Sequence, residues 1–208
     1  MAITLVEIIE YLGTFAFAIS GLRMASAKHF DLFGAYVVGF ATAVGGGTTR
    51  DLLLSQTPFW LATPSYLICT GFALVFVMIF SRYLIRMKNT IFIFDAIGLG
   101  LFVLVGLEKS VALGYDLWVA VIMGMVTGAV GGILRDILVN EEPLIFRKEI
   151  YASACIIGGL IYCLCHHLGV NDTVVQIVTI ASVIMVRIVA VYFRIGLPVL
   201  KDNSKASR

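Results

Sequence analysis

Gly45-Gly46-Gly47-Thr48-Thr49-Arg50-Asp51 and Gly131-Gly132-Ile133-Leu134-Arg135-Asp136 decide how this chain is built. Each stretch lies in a long apolar run and ends in Arg-Asp. Asp136 follows Asp51 by 85 residues, and at that spacing the halves of the chain align without a gap from Glu10 to Tyr66. Gly13 falls on Gly98, Gly21-Leu22 on Gly106-Leu107, and Asp31-Leu32 on Asp116-Leu117. Thr42 falls on Thr127, Pro58 on Pro143 and Tyr66 on Tyr151, while Glu10 meets Asp95. Chance matches between apolar stretches would be Leu, Val and Ala. Matches in Gly, Pro, Arg, Asp and Tyr mark an internal repeat.

The runs around the repeat are long enough to cross a bilayer as helices. They predict seven spans, at 3–22, 32–57, 64–82, 91–108, 117–140, 150–168 and 173–195. With 60% of its 208 residues hydrophobic, 13% charged and a mean hydropathy of +1.00, the chain cannot cover a water-exposed surface of this size. The fold class predicted is an all-α membrane protein: two three-helix repeats (1–90 and 91–170), a seventh helix (171–196) and a disordered polar tail (197–208). Three spans per copy make the second copy enter the membrane from the opposite face, so the copies are inverted. Ala25-Ser26-Ala27 looks like a leader-cleavage site, but no Lys or Arg precedes the first apolar run, and that run recurs later in the chain.

Charge sets the orientation. Arg23, Lys28, Arg82, Arg86, Lys88, Arg147, Lys148, Arg194, Lys201, Lys205 and Arg208 fall on one side of the seven-span scheme, and only Lys109 falls on the other. The positive-inside rule then puts the C-terminus in the cytoplasm and the N-terminus outside. A net charge of +2 gives no reason to expect nucleic acid, and no soluble partner is implied. Cys69, Cys155, Cys163 and Cys165 lie in apolar runs without metal spacing and read as small apolar fillers. No nucleophile triad, phosphate loop, zinc or haem motif is present, so no catalysis, metal or cofactor is expected. Trp60 and Trp118 are expected at the outer interface. His166 and His167, at the outer end of span six, read as interfacial histidines.

Three glycines near the middle of span two weaken a helix and let the backbone bend. Freed backbone groups at that depth must find a partner or line a wet cavity. The expected path is lined by Thr42, Gly45, Gly46, Gly47 and Thr48 on span two and by Thr127, Gly131 and Gly132 on span five, with both spans bent or unwound at their glycines. The alternative is close helix packing through small residues. Val130 stands where the first copy has Gly45, so the second copy is the weaker.

Charges inside spans are functional or paired. Depth along the helices, at about 1.5 Å per residue, sorts them into an outer layer of Glu10, Arg50 and Asp51 and an inner layer of Asp95, Arg135, Asp136 and Arg187. Glu10 is expected to pair with Arg50, and Asp95 with Arg135. Each repeat brings one acid in excess. Arg187, on the unrepeated span, is expected to neutralise Asp136 or to stand in the path as a barrier; the alternative is that it snorkels to the interface.

Two in-register copies of a glycine run followed by Arg-Asp, in seven spans, resemble the prokaryotic trimeric intracellular cation channels, a superfamily whose bacterial members are also described as glycine transporters. The resemblance covers nearly the whole chain. It implies a homotrimer in the membrane with one pore per subunit, lined by kinked second and fifth spans and passing potassium and other monovalent cations. Animal relatives carry a Lys-Glu-Val motif for lipid binding in the second span, and this chain has none. A secondary transporter of glycine or a similar small amino acid, with Arg50 or Arg135 holding its carboxylate, is the alternative function; a membrane scaffold leaves the paired glycine runs unexplained.

Overall fold

The computed structural model describes residues 4–87, 89–196 and 198; Lys88 and the expected disordered tail lie outside them, apart from residue 198. The described chain is α-helical: α1 Leu5–Ala27, α2 Leu32–Leu53, the single turn α3 Phe59–Ala62, α4 Ser65–Arg86, α5 Thr90–Ala112, α6 Leu117–Leu138, α7 Ala152–His167 and α8 Asp172–Tyr192. A 3-10 turn, Leu144–Phe146, sits between α6 and α7.

α1, α2, α4, α5, α6 and α8 are long and apolar enough to cross a membrane. At 23 residues, α1 and α5 are each about 35 Å long, against a hydrocarbon core of about 30 Å. The sixth expected span is the 16-residue α7, about 24 Å long and short of that thickness.

Local sequence explains the ends. Thr4 and Glu7 form a reciprocal capping box at the start of α1, with Thr4 N donating to Glu7 Oε2 at 2.8 Å. Asp31 accepts from Gly34 N at 2.7 Å to cap α2. Past the C-termini, His29, Ser55, Gly114 and Asn140 take positive φ, and the following N–H bonds back into the last turn: Gln56 N to Asp51 O at 2.7 Å, Glu141 N to Asp136 O at 2.8 Å. His29 and Gly114 thus end α1 and α5 at 27 and 112, beyond the expected ends at 22 and 108. Adding 85 to the bounds of α1 gives 90–112, those of α5; adding it to those of α2 gives 117–138, those of α6.

α1, α2, α5 and α6 form the centre, with α4 against α1 and with α7 and α8 against α5 and α6. The core is arranged in matching pairs. Phe17 of α1 and Phe102 of α5 meet at 5.2 Å between ring centroids. A Cβ on Gly98 would strike Phe17, and one on Gly13 would touch Phe102. The outer faces of α4 and α8 carry exposed Phe72, Ile79, Ile177 and Met185, apolar surface suited to lipid or protein rather than water. All four cysteines are free. Trp118 is exposed, as expected for a belt residue, but Trp60 turns inward and donates to Thr48 Oγ1 at 2.9 Å.

Candidate functional site

α2 and α6 cross at their glycines. A Cβ on Gly46 would fall inside van der Waals contact of the Thr127 carbonyl oxygen, and one on Gly131 inside that of the Thr42 carbonyl oxygen. The backbones therefore touch at two related points, which only glycine permits. Of the two expected forms, bent or unwound, neither helix is unwound: α2 runs as α-helix from Leu32 to Leu53, and α6 from Leu117 to Leu138. The physical reason is that the tight crossing supplies packing that offsets glycine's poor propensity. Hydroxyls also satisfy carbonyls along the way: Thr42 donates to Val38 O, Thr48 to Val44 O, Thr49 to Gly45 O and Thr127 to Met123 O, at 2.6 to 2.9 Å.

Of the eight expected path residues, Thr42, Gly46, Thr127 and Gly131 come together at this crossing. The other four have separate neighbours. Gly45 faces Leu134, Gly47 faces Phe59, Thr48 bonds Trp60, and Gly132 lies under the Tyr151 hydroxyl. Thr42, Thr127, Phe17 and Phe102 are all buried, so the layer around the crossing is packed.

A charge network sits at the C-terminal end of each crossing helix. At the end of α2, Arg50 Nε donates to Asp51 Oδ1 at 2.8 Å and Arg50 Nη2 lies 3.5 Å from Glu10 Oε1. Tyr66 of α4 donates to Glu10 Oε2 at 2.8 Å, and Phe59 N to Asp51 Oδ2 at 2.9 Å. At the end of α6, Arg135 Nε donates to Asp136 Oδ1 at 2.9 Å and Arg135 Nη1 bonds Asp95. Tyr151 reaches Asp95 at 3.5 Å, and Leu144 N donates to Asp136 Oδ2 at 3.0 Å. Both expected pairs, Glu10–Arg50 and Asp95–Arg135, are therefore present. Every partner in the first network maps onto one in the second at a spacing of 85 residues.

The networks differ in one extra cation each, and in a bond from Arg135 Nη1 to Ser20 Oγ at 2.7 Å that the first network lacks among the described residues. Lys109 Nζ lies 2.8 Å from Asp51 Oδ1 and cancels the acid excess expected there. Placing the end of α5 at 108 had put this lysine in a loop; in fact it occupies the last turn. Arg187, fully buried, does not snorkel. Nor does it pair with Asp136. Its Nη2 lies 3.6 Å from Asp95 Oδ2, its Nη1 3.4 Å from Glu149 Oε2, and Nη1 donates to Ile150 O at 2.9 Å. The guanidinium carbon sits 5.2 and 4.8 Å from the ring centroids of Phe92 and Tyr151. Depth alone had pointed to Asp136; rotation about the α8 axis selects Asp95. Tyr66, Tyr151 and Glu149 carried no functional expectation, although the tyrosines stand in register in the repeat.

A cavity of about 260 Å³ opens on the second network, lined by Asp95, Arg135, Asp136, Arg147, Glu149 and Arg187. Arg187 Nε and Nη2 and Asp95 Oδ2 have no protein hydrogen-bond partner, and neither does Arg50 Nη1 in the first network. Such groups are where water is taken up. In the loop beside the cavity, a hydrogen bond and charge from Lys28 hold the Glu141 carboxyl below its usual range. Among the described residues no group of three His, Cys, Asp or Glu side chains is placed to hold a metal.

A family described as "Glycine transporter" matches twice, over residues 7–82 and 92–167, again 85 residues apart. Two bacterial membrane proteins of the UPF0126 group are similar in sequence. The protein from Vibrio cholerae is 36% identical over 94% of this chain and 82% of its own length. The inner membrane protein YadS of Escherichia coli K12 is 36% identical over 97% of this chain and 100% of its own. Among solved structures, the trimeric intracellular cation channel orthologue from Rhodobacter sphaeroides superimposes with a TM-score of 0.87 at 31% identity, covering 93% of this chain and all of that one. A second structure, described as one of the TRIC cation channels, gives 0.85 at 36% identity over 97% of this chain and all of the other. A channel from C. elegans, at 15% identity and a TM-score of 0.62, shares the fold.

Proposed function

This chain belongs to the prokaryotic trimeric intracellular cation channel family, which takes in the glycine-transporter match and the UPF0126 proteins, and from that membership we propose that it is a monovalent cation channel passing potassium. The path runs inside each subunit of a homotrimer, between α2 and α6, past Thr42, Gly46, Thr127 and Gly131. Gly45, Gly47, Thr48 and Gly132 join it as the helices part. Two inverted three-helix repeats build the subunit, and α8 is the unpaired seventh span. Helix bounds and family matches that repeat at a spacing of 85 residues support this.

The observation that carries the proposal is the pair of equivalent charge networks at the far ends of one crossing. Each fastens the end of a crossing helix to its neighbours through a buried arginine. Such pairs have discrete arrangements, so they act as locks rather than springs. Breaking one frees a helix end to move and exposes Glu10 and Asp51, or Asp95 and Asp136, to a passing cation. A carrier of glycine or a similar small amino acid is the second reading. Arg187 Nε and Nη2, which lack a hydrogen-bond partner although the guanidinium is ion-paired, favour it, as a place for a carboxylate on the cavity.

Purified protein in a planar bilayer separates the two. Discrete ohmic openings in potassium chloride support the channel; saturable glycine uptake without openings supports the carrier. In the same recordings Lys109→Gln is expected to raise the open-to-closed ratio about fivefold, the equivalent of roughly 1 kcal/mol for a part-exposed pair. Unchanged gating in Lys109→Gln would remove the outer network from the lock.

The excess of basic residues on one side supports an orientation with the N-terminus outside and the C-terminus in the cytoplasm. Reporters inserted between α4 and α5 and fused after α8 are expected to read cytoplasm. An external reading from either reverses the orientation.

A further inference from the structure

At the end of α8 the chain turns back. Arg194 takes φ 52°, and Gly196 forms an isolated antiparallel bridge with Glu149 in the loop before α7. A Cβ on Gly196 would lie 2.7 Å from Lys148 O, so the two segments are in close backbone contact. A cavity of about 270 Å³ sits at this junction, with Lys148 and Arg194 on its rim. It shares Ile150, Ala190 and Ile195 with a second hollow of about 220 Å³ that runs back along α8 past Met185 and Val189. The rim is basic and the floor is apolar. Glu149, the acid of the rim, turns its carboxylate toward Arg187. Tyr192 and Phe193, 78% and 66% exposed, project from the same helix end, the level at which aromatic side chains meet lipid headgroups.

We propose that this groove holds one anionic phospholipid, its phosphate between Lys148 and Arg194 and an acyl chain along Ile150, Ala190, Val189 and Met185. In the orientation proposed above it belongs to the cytoplasmic leaflet, and the site itself does not depend on what the protein conducts. Two cations above an apolar channel match an amphiphile with a negative head, and two basic side chains near a headgroup layer each attract anionic lipid by about fivefold.

The test uses full-length protein in phosphatidylcholine vesicles with and without phosphatidylglycerol. Phosphatidylglycerol retained after detergent extraction is measured by mass spectrometry. Wild type is expected to retain it and to gain thermal stability from it. The double variant Lys148→Gln/Arg194→Gln is expected to bind it about thirtyfold more weakly, the product of the two losses. Val189→Trp, which fills the floor and keeps both charges, is expected to lose retention too. Arg82→Gln/Arg86→Gln, which removes a basic pair elsewhere on the same side, is expected to behave as wild type. Retention by the first double variant, or an equal loss in the Arg82/Arg86 control, overturns the site. So does an efficient disulfide between protomers in a Met185→Cys variant, which would show that a second copy covers the groove. Because binding and melting are read rather than current, failure here is distinct from failure of the channel reading.

Discussion

Gly46→Ala is expected to lower stability by about 3 kcal/mol, and Gly46→Leu to prevent recovery of folded protein. The added methyl meets the Thr127 carbonyl, a backbone atom in the middle of α6 that cannot rotate away. Relief requires moving one helix off the other. Gly131→Ala is expected to behave alike, because its methyl meets the Thr42 carbonyl of α2. Gly45→Ala, one residue away, clashes with the Leu134 Cδ1 methyl, which can swing aside, and makes ordinary contact with Leu134 Cγ and Gly131 Cα, so it is expected to lose less than about 1 kcal/mol. Gly71→Ala in α4 has no neighbour within 4 Å and serves as the neutral control. Thermal unfolding in detergent, followed by size-exclusion recovery, reads all five. If Gly46→Ala melts with Gly45→Ala, the close α2–α6 crossing is wrong.

That ordering reverses what composition suggested. Glycines in a helix signal weakness when the reference is a solvated peptide, and the runs at Gly45–Gly47 and Gly131–Gly132 accordingly read as places where the helix opens. Between two packed helices the missing side chain is instead what lets backbones touch. Both readings rest on the same residues, and only the position of the neighbouring helix selects between them. The register of the repeat was legible because Gly, Arg, Asp and Tyr seldom align by chance. The ends of α1 and α5 were not, since hydropathy falls off before the helices do, and Ser26, Lys109 and Ser110 remain helical.

The candidate site was legible to the extent that depth determines contact. Glu10 and Arg50, like Asp95 and Arg135, are level, and one geometric coordinate sufficed to pair them. Lys109 was lost with the end of α5. Arg187 was placed at the right depth and assigned the wrong acid, because Asp95 and Asp136 share a layer and differ in azimuth. Gln176, Thr179 and Arg187 mark the buried face of α8, but a buried face alone does not choose between two acids at one depth.

Asp95→Asn is therefore expected to be the most damaging change at the second network, with a loss of about 3–5 kcal/mol. Asp95 takes Arg135 on one oxygen and faces Arg187 with the other. Asparagine leaves both guanidinium groups buried with Asp136 and the part-exposed Glu149 as the remaining acids, and neither arginine can escape by losing its proton. Asp136→Asn removes an acid at the same depth, yet Arg135 keeps Asp95 and Arg187 is untouched, so a loss of about 1–3 kcal/mol is expected. Second substitutions tell the two acids apart. Arg187→Gln added to Asp95→Asn should recover part of the loss, a coupling of about 1–3 kcal/mol, since it removes a cation that has lost its partner. Added to Asp136→Asn it should be additive within about 0.5 kcal/mol. Surviving Asp95→Asn channels should also open more often, the end of α6 having lost its fastening. Coupling of Arg187 to Asp136 rather than to Asp95 would mean that α8 is rotated from the orientation described, and the inner lock would have to be rebuilt around Asp136.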